Sequence, residues 1–167
     1  LDATGRARMV DVGDKPVTTR RAIAEGRVMM SAAAFAMVRD ATTAKGDVIA
    51  VAELAGVMGA KRTSDLIPLC HSVPLDQVTV TLELIDAWPG VRVEAAATAT
   101  ARTGIEMEAL VAVSVACLTV YDMAKAVDRE MVLVDIRVEA KDGGRSGSWR
   151  RSPPGDCSTS APVIPAI

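Results

Sequence analysis

The stretch from Glu106 to Val127 constrains the fold more than any other part of the chain. Wound as a helix, it sets Met107, Leu110, Val111, Ser114, Leu118 and Tyr121 on one face and Ala109, Ala112, Val113, Ala116 and Val120 on another. A helix apolar nearly all round has to be buried on two sides. One side fits a sheet; the other needs a second cover that a chain of 167 residues hardly supplies. The run Ala95-Ala-Ala-Thr-Ala-Thr-Ala101 is the natural counterpart, because a strand of small side chains lets a helix lie close. With half the residues apolar but only 2% aromatic, the core must be built from Val, Ala, Leu, Ile and Met.

The segments around this helix alternate with period two. From Arg20 to Met30, Ala22, Ala24, Val28 and Met30 fall on one face and Arg21, Glu25 and Arg27 on the other, the pattern of a half-buried strand. Ser31 is placed to cap a helix over Ala32 to Arg39, and Asp47 to cap one over Val48 to Lys61. Gln77 to Ile85 alternates again, Asp86 to Gly90 turns the chain through Trp88-Pro89, and Val91 to Arg102 returns as a hairpin. Met131 to Ala140 is the last strand, and Met9 to Val12 a short extended piece near a loosely held start. The order predicts a βαββαβ, ferredoxin-like α+β sandwich: an antiparallel sheet with helices on one face. Residues 1–149 then form a single domain, and the Gly-, Ser- and Pro-rich residues 150–167 read as a flexible tail.

A net charge of −2 argues against general affinity for nucleic acid or anionic membrane. The longest charge-free run, Ala109 to Tyr121, is short of the roughly 20 residues that cross a bilayer, so a cytoplasmic protein is expected. Cys70, Cys117 and Cys157 are odd in number and far apart, which supports neither a disulfide framework nor a metal site and leaves Cys117 as core. Any anion site must be local.

Two places offer one, and two further clusters bear on the chemistry. Ala60 to Pro74 packs Lys61, Arg62, Cys70 and the only histidine, His71, around a proline turn. Lys45 stands ahead of a helix N-terminus, where backbone N–H groups favour a phosphate. Thr103 to Glu108 places two carboxylates in the first turn of the long helix, and Asp122 and Lys125 share a face near its end. A lysine beside a carboxylate and other cations suits acid–base chemistry on an anionic small molecule.

These segments resemble one family closely. Lys45-Gly-Asp, Ala60-Lys-Arg-Thr-Ser-Asp-Leu-Ile-Pro-Leu-Cys-His, Thr103-Gly-Ile-Glu-Met-Glu-Ala-Leu, Ser114-Val-Ala-Cys-Leu-Thr-Val-Tyr-Asp-Met-Ala-Lys-Ala-Val and Gly143-Gly-Arg-Ser-Gly are similar to the molybdenum cofactor biosynthesis protein C family. The resemblance covers roughly Met9 to Gly147. It implies a phosphorus–oxygen lyase that converts 3′,8-cyclo-7,8-dihydroguanosine triphosphate into cyclic pyranopterin monophosphate and pyrophosphate. By match, Asp122 and Lys125 are the catalytic pair, assisted by Lys45 and His71. Leu69, Cys70, His71, Met107 and Glu108 line the substrate pocket with Glu106 beside them, while Arg20, Lys61 and Arg145 add positive charge. Two departures stand out: Ser72-Val73-Pro74 follows His71 where the family has Pro at once, and Arg145 stands where it usually has Lys.

No cofactor is implied, and a divalent ion accompanying the triphosphate is compatible with the pattern. The family is a hexamer built from dimers, with the site at a subunit interface. Helix geometry fits this: Glu106 and Asp122 are 16 positions apart, about 24 Å at 1.5 Å per residue. An antiparallel partner helix would bring them together and supply the missing cover. The alternative from another class is a non-catalytic ferredoxin-like module that binds RNA or a nucleotide. RNA readers of this architecture stack bases on strand aromatics, and these strands have none.

Overall fold

The alternating segments form one antiparallel sheet in the computed structural model, which describes residues 5–152. Along the chain come β1 (Thr18–Met29), α1 (Ala32–Arg39), α2 (Val48–Ala60), α3 (Thr63–Leu66), β2 (Gln77–Ile85), β3 (Gly90–Ala101), α4 (Glu106–Ala124), β4 (Val132–Asp142) and β5 (Trp149–Arg150). The sheet order is β2-β3-β1-β4-β5. The first four of these positions are the ferredoxin-like arrangement, with β1 between β3 and β4.

Small side chains decide how close the layers come. The register sets Ala22 opposite Ala97, Ala24 opposite Ala95 and Val28 opposite Val91, and all six are buried beneath the helices. At Gly26 a Cβ would stand 2.6 Å from Val113 Cγ1, so α4 crosses β1 where only hydrogen fits. Opposite Gly26 the pairing of β1 with β4 shifts, and Asp135 takes φ 56°, as in a bulge. That kink aims Asp135 at Arg27 and Arg137, 3.2 and 3.6 Å away.

The second cover of α4 is largely α2. A Cβ at Gly56 would come within 3.0 Å of the Ala112 carbonyl oxygen, and one at Gly59 within 2.8 Å of Val115 Cγ2. The expectation that the chain could hardly cover its long helix twice is thus corrected, because two glycines let α2 lie against it. Val51, Leu54 and Met58 on α2, with Met107 and Leu118 on α4, still stay exposed. By length and composition alone α4 could cross a membrane, yet its inward residues are packed in the core. Cys117 is fully buried there, its thiol pushed up to about 12 by burial, as expected of a core cysteine.

Among the described residues no helix covers the other face of the sheet. Its centre is Glu25, whose side chain is 8% exposed and pairs with Arg27, Arg92 and Arg137 at 3.3, 3.0 and 3.5 Å. Ion pairs and threonines make up its centre, with Arg27 lying 5.4 Å from the Trp88 ring centroid.

Met9 to Val12, read as a short extended piece, lies outside the sheet. Two expectations change. α4 ends at Ala124, leaving Lys125 as its C-cap. Residues 149–151, assigned to the tail or its edge, extend the sheet instead: Trp149 and Arg150 pair with Lys141 and Ala140, and the Arg151 N–H donates to the Glu139 carbonyl. A two-residue strand is too short for alternation to reveal. Residues 153–167, the rest of that tail, and Cys157 within it lie outside the described residues.

Candidate active site

The start of β1 and the ends of β3 and β4 meet the first turn of α4 at one margin of the sheet. Between them lies a cavity of about 510 Å³ lined by six cations, Lys15, Arg20, Arg21, Arg102, Lys141 and Arg145, and two acids, Glu106 and Asp142. Asp142 is already held by Arg150 at 2.9 Å, which with Ser148 keeps its carboxyl below the usual range. Arg20 is 9% exposed, and its Nε donates to the Ala101 carbonyl at 3.2 Å. Gly143 and Gly144, at φ +93° and +76°, fold over this side chain; a Cβ on Gly144 would collide with the guanidinium. The glycine pair therefore leaves room for a cation as well as turning the chain. An excess of guanidinium and ammonium groups in a partly enclosed space suits an anion with several charged oxygens.

A second cavity of about 520 Å³ adjoins it, sharing Lys15, Thr103, Gly104 and Glu106 and adding Leu69, Cys70, His71 and Met107. The key stretch reaches this wall through a feature that its proline turn hid. Thr63 begins α3, its hydroxyl donating to the Ala60 carbonyl at 2.9 Å, and the Cys70 N–H donates to Ile67 at 3.0 Å. That one turn of helix reverses the chain and presents Cys70 and His71. His71 Nε2 lies 2.8 Å from the Val10 carbonyl oxygen. A carbonyl only accepts, so Nε2 carries the hydrogen in this contact. Glu106 folds back over Gly104, where any Cβ would strike its carboxylate. Glu108 is 2% exposed and lines neither cavity; burial first, then Glu106, raises its carboxyl above the usual range.

The opposite end of α4 carries the remaining candidates. Lys45 Nζ is 2.6 Å from Asp122 Oδ2, and Lys125 Nζ is 2.7 Å from Asp122 Oδ1. The two hydrogen bonds, from Lys125 and then Lys45, hold the Asp122 carboxyl down to about 2. A third contact, Lys45 Nζ to the Asp122 carbonyl at 3.1 Å, fixes the loop before α2 to the end of α4. All three side chains remain about half exposed, at 51–52%. They line a cavity of about 460 Å³ with Met37 and Arg129. The phosphate site expected at the start of α2 is otherwise occupied: Asp47 Oδ1 accepts from the N–H groups of Ile49 and Ala50 at 2.9 and 3.1 Å.

The candidates thus fall into two groups. Arg20, Leu69, Cys70, His71, Glu106, Met107 and Arg145 gather at the N-terminal end of α4, with Glu108 behind them, while Lys45, Asp122 and Lys125 gather at the other. His71 does not stand beside the pair it was expected to assist. Lys61, the C-cap of α2, is exposed and outside the lining of all these cavities. Lys15, Arg21, Arg102 and Lys141 were not foreseen; their signal is a cation at or next to the end of each of three strands.

Fold and site together define an α+β enzyme of ferredoxin-like architecture, equipped for an anionic small molecule. The MoaC family matches residues 9–144 of the chain. The cyclic pyranopterin monophosphate synthase of Brucella ovis is 56% identical over 154 residues, 92% of this chain and 93% of its own. That of Cereibacter sphaeroides is 56% identical over 152 residues, 91% and 96% respectively. The chain belongs to the MoaC family.

Proposed function

We propose that this chain carries out cyclic pyranopterin monophosphate synthesis in molybdenum cofactor formation, taking 3′,8-cyclo-7,8-dihydroguanosine triphosphate as substrate and releasing pyrophosphate. The observation that carries the substrate assignment is the cavity with six cations against two acids. A triphosphate fills such a cradle without needing a basic surface elsewhere, in keeping with the net charge of −2. The adjoining wall of Leu69, Cys70, His71 and Met107 then takes the heterocycle.

Chemistry falls to the Lys45–Asp122–Lys125 cluster. The two lysines hold the Asp122 carboxyl down to about 2, so at neutral pH it is a carboxylate that keeps their two ammonium groups in place. Their N–H groups are the donors. Closing the cyclic phosphate requires a hydroxyl to attack phosphorus while pyrophosphate leaves, the hydroxyl proton passing to an oxygen of the departing pyrophosphate, a step favoured by cations fixed around the charge that develops. No cofactor enters, and a divalent ion would come with the triphosphate.

The two halves are about 24 Å apart along α4, so one chain does not close the site. The exposed stripe of Val51, Leu54, Met58 and Leu118 supports a two-fold neighbour packed antiparallel on the helix layer. It would set Lys45, Asp122 and Lys125 of one chain over the cation-lined cavity of the other, and such dimers would build the hexamer. Incubating the purified protein with the cyclic GTP derivative tests the function: pyrophosphate and the cyclic monophosphate should appear together, and an unchanged substrate contradicts it.

A further inference from the structure

The cavity with six cations is closed on one side by the bend between β4 and β5, which gives Gly143, Arg145 and Ser146 to its lining. Gly143, Gly144 and Gly147 in that bend take φ +93°, +76° and +62°. Glycine loses more conformational freedom on ordering than any other residue, so a bend built from it has to be held. Within the bend, the Gly147 N–H donates to the Gly144 carbonyl at 3.1 Å and Lys141 Nζ donates to Ser146 Oγ. Among the described residues the Arg145 side chain has no hydrogen-bond or ion-pair partner. Its place at the cavity is therefore decided by the backbone of the bend.

Where β4 and β5 come together, one arginine spans both. Arg150 Nη1 donates to Asp142 Oδ1 at 3.0 Å and Nη2 to Oδ2 at 2.9 Å, a two-pronged grip. The same Nη1 lies 3.1 Å from the Lys141 carbonyl oxygen and 3.0 Å from that of Trp149. A single guanidinium thus ties the last residues of β4 to the first of β5. A strand of two residues pairs too little to fix a hairpin by itself. The planar fork supplies a geometry that a lysine there could not. With 56% of its side chain exposed, Arg150 adds little to overall stability, so its effect is local.

We propose that Arg150 is a positioning residue: by clasping Asp142 it fixes the β4–β5 bend and so keeps Arg145 at the anion cavity. The inference rests on the reading of that cavity as the place of the substrate's phosphates. The clasp also answers the charge of Asp142, one of the two acids in the cavity lining. Arg150 first, and then Ser148, keep the Asp142 carboxyl below its usual range, consistent with this geometry.

The test needs no turnover. In Arg150→Ala, amide hydrogen exchange at Gly147 and Arg151, followed by NMR in the full chain, should accelerate by about tenfold or more while the amides of α4 exchange as in the parent. The dissociation constant for inorganic triphosphate, read by calorimetry, should rise about tenfold. Arg150→Lys should lose nearly as much, because it keeps the charge but not the fork. Arg145→Ala should weaken binding to the same degree, and Arg145→Ala/Arg150→Ala no further, since one residue acts through the other. With substrate, Arg150→Ala should raise KM and leave kcat within about twofold of the parent. Faster exchange with unaltered triphosphate binding would make the clasp merely structural and overturn the proposal, as would losses that multiply in the double variant. An Arg150→Lys protein that binds like the parent would reduce the role to charge and overturn it too. A parent chain that binds no triphosphate sinks the reading of the cavity and the proposal with it, whereas unchanged exchange sinks the clasp alone.

Discussion

The two ends of α4 handle charge in opposite ways. At the N-terminal end, cations from three strands and Lys15 surround a partly enclosed cavity, and Arg20 sits 9% exposed under a glycine turn with a backbone carbonyl as its hydrogen-bond acceptor. At the C-terminal end, two lysines share one aspartate in the open, each side chain about half exposed. The first arrangement is held by the protein's own backbone. The second is internally neutralised, and Met37, Met123, Ala126 and Val127 give its cavity a more apolar wall. An ion pair in water contributes little to stability, so three residues held together at an exposed helix end call for another explanation than folding. A cation-lined cavity at one end of α4 and a neutralised lysine cluster at the other, too far apart to meet, are what a site divided between two chains would leave in each.

Removing Lys125 gives the largest expected effect. Lys125→Ala should lower kcat by about a thousandfold, the range of a lost acid–base group, while circular dichroism and thermal midpoint stay near those of the parent. A variant that unfolds, or one that turns over normally, would erase the contrast between a chemical end and a binding end. Arg102→Ala, at the other end, should mainly raise KM, by about ten- to a hundredfold for one charge-assisted contact, and the loss should shrink as salt rises. A pure kcat effect there would mean that the cradle does more than bind.

A smaller effect sharpens the electrostatic side. The Asp122 carboxyl is held at about 2 by Lys125 and Lys45, against an ordinary 3.8. Its folded value lies below the unfolded one, so the cluster's contribution is complete above about pH 4 and fades as pH falls toward 2. Carbon-detected NMR of the double variant Lys45→Ala/Lys125→Ala should show the midpoint moving up toward 3.8. A midpoint that does not move would mean that the two lysines do not hold the carboxylate.

Much of the frame was legible because local chemistry and tertiary packing agree. Ser31 caps α1 by accepting from Ala34, Asp47 caps α2, and the alternation of β2 and β3 matches their burial. Where length fell below the period, reading failed: α3 is a single turn and β5 two residues. The site was legible by segment but not by neighbourhood. Arg21, Arg102 and Lys141 converge only because strand register brings the start of β1 to the ends of β3 and β4, and register is set by pairing between distant residues. Glu108 was placed in the pocket by the family resemblance; standing two places from Glu106, it turns to a different side of the helix, with Glu106 toward the cavity and Glu108 buried.

The division of the site between chains is the central claim, and mixing two dead variants tests it most directly. Glu106→Gln damages the cavity end and Lys125→Ala the lysine end. In a mixed two-fold pair, one site carries both lesions and the other carries neither. Co-refolding equal amounts should place half of the chains in mixed pairs and restore about a quarter of the parent's turnover, with each variant alone remaining inactive. If tagged chains prove that mixed pairs have formed and the mixture releases no more pyrophosphate than either variant alone, the site is not shared.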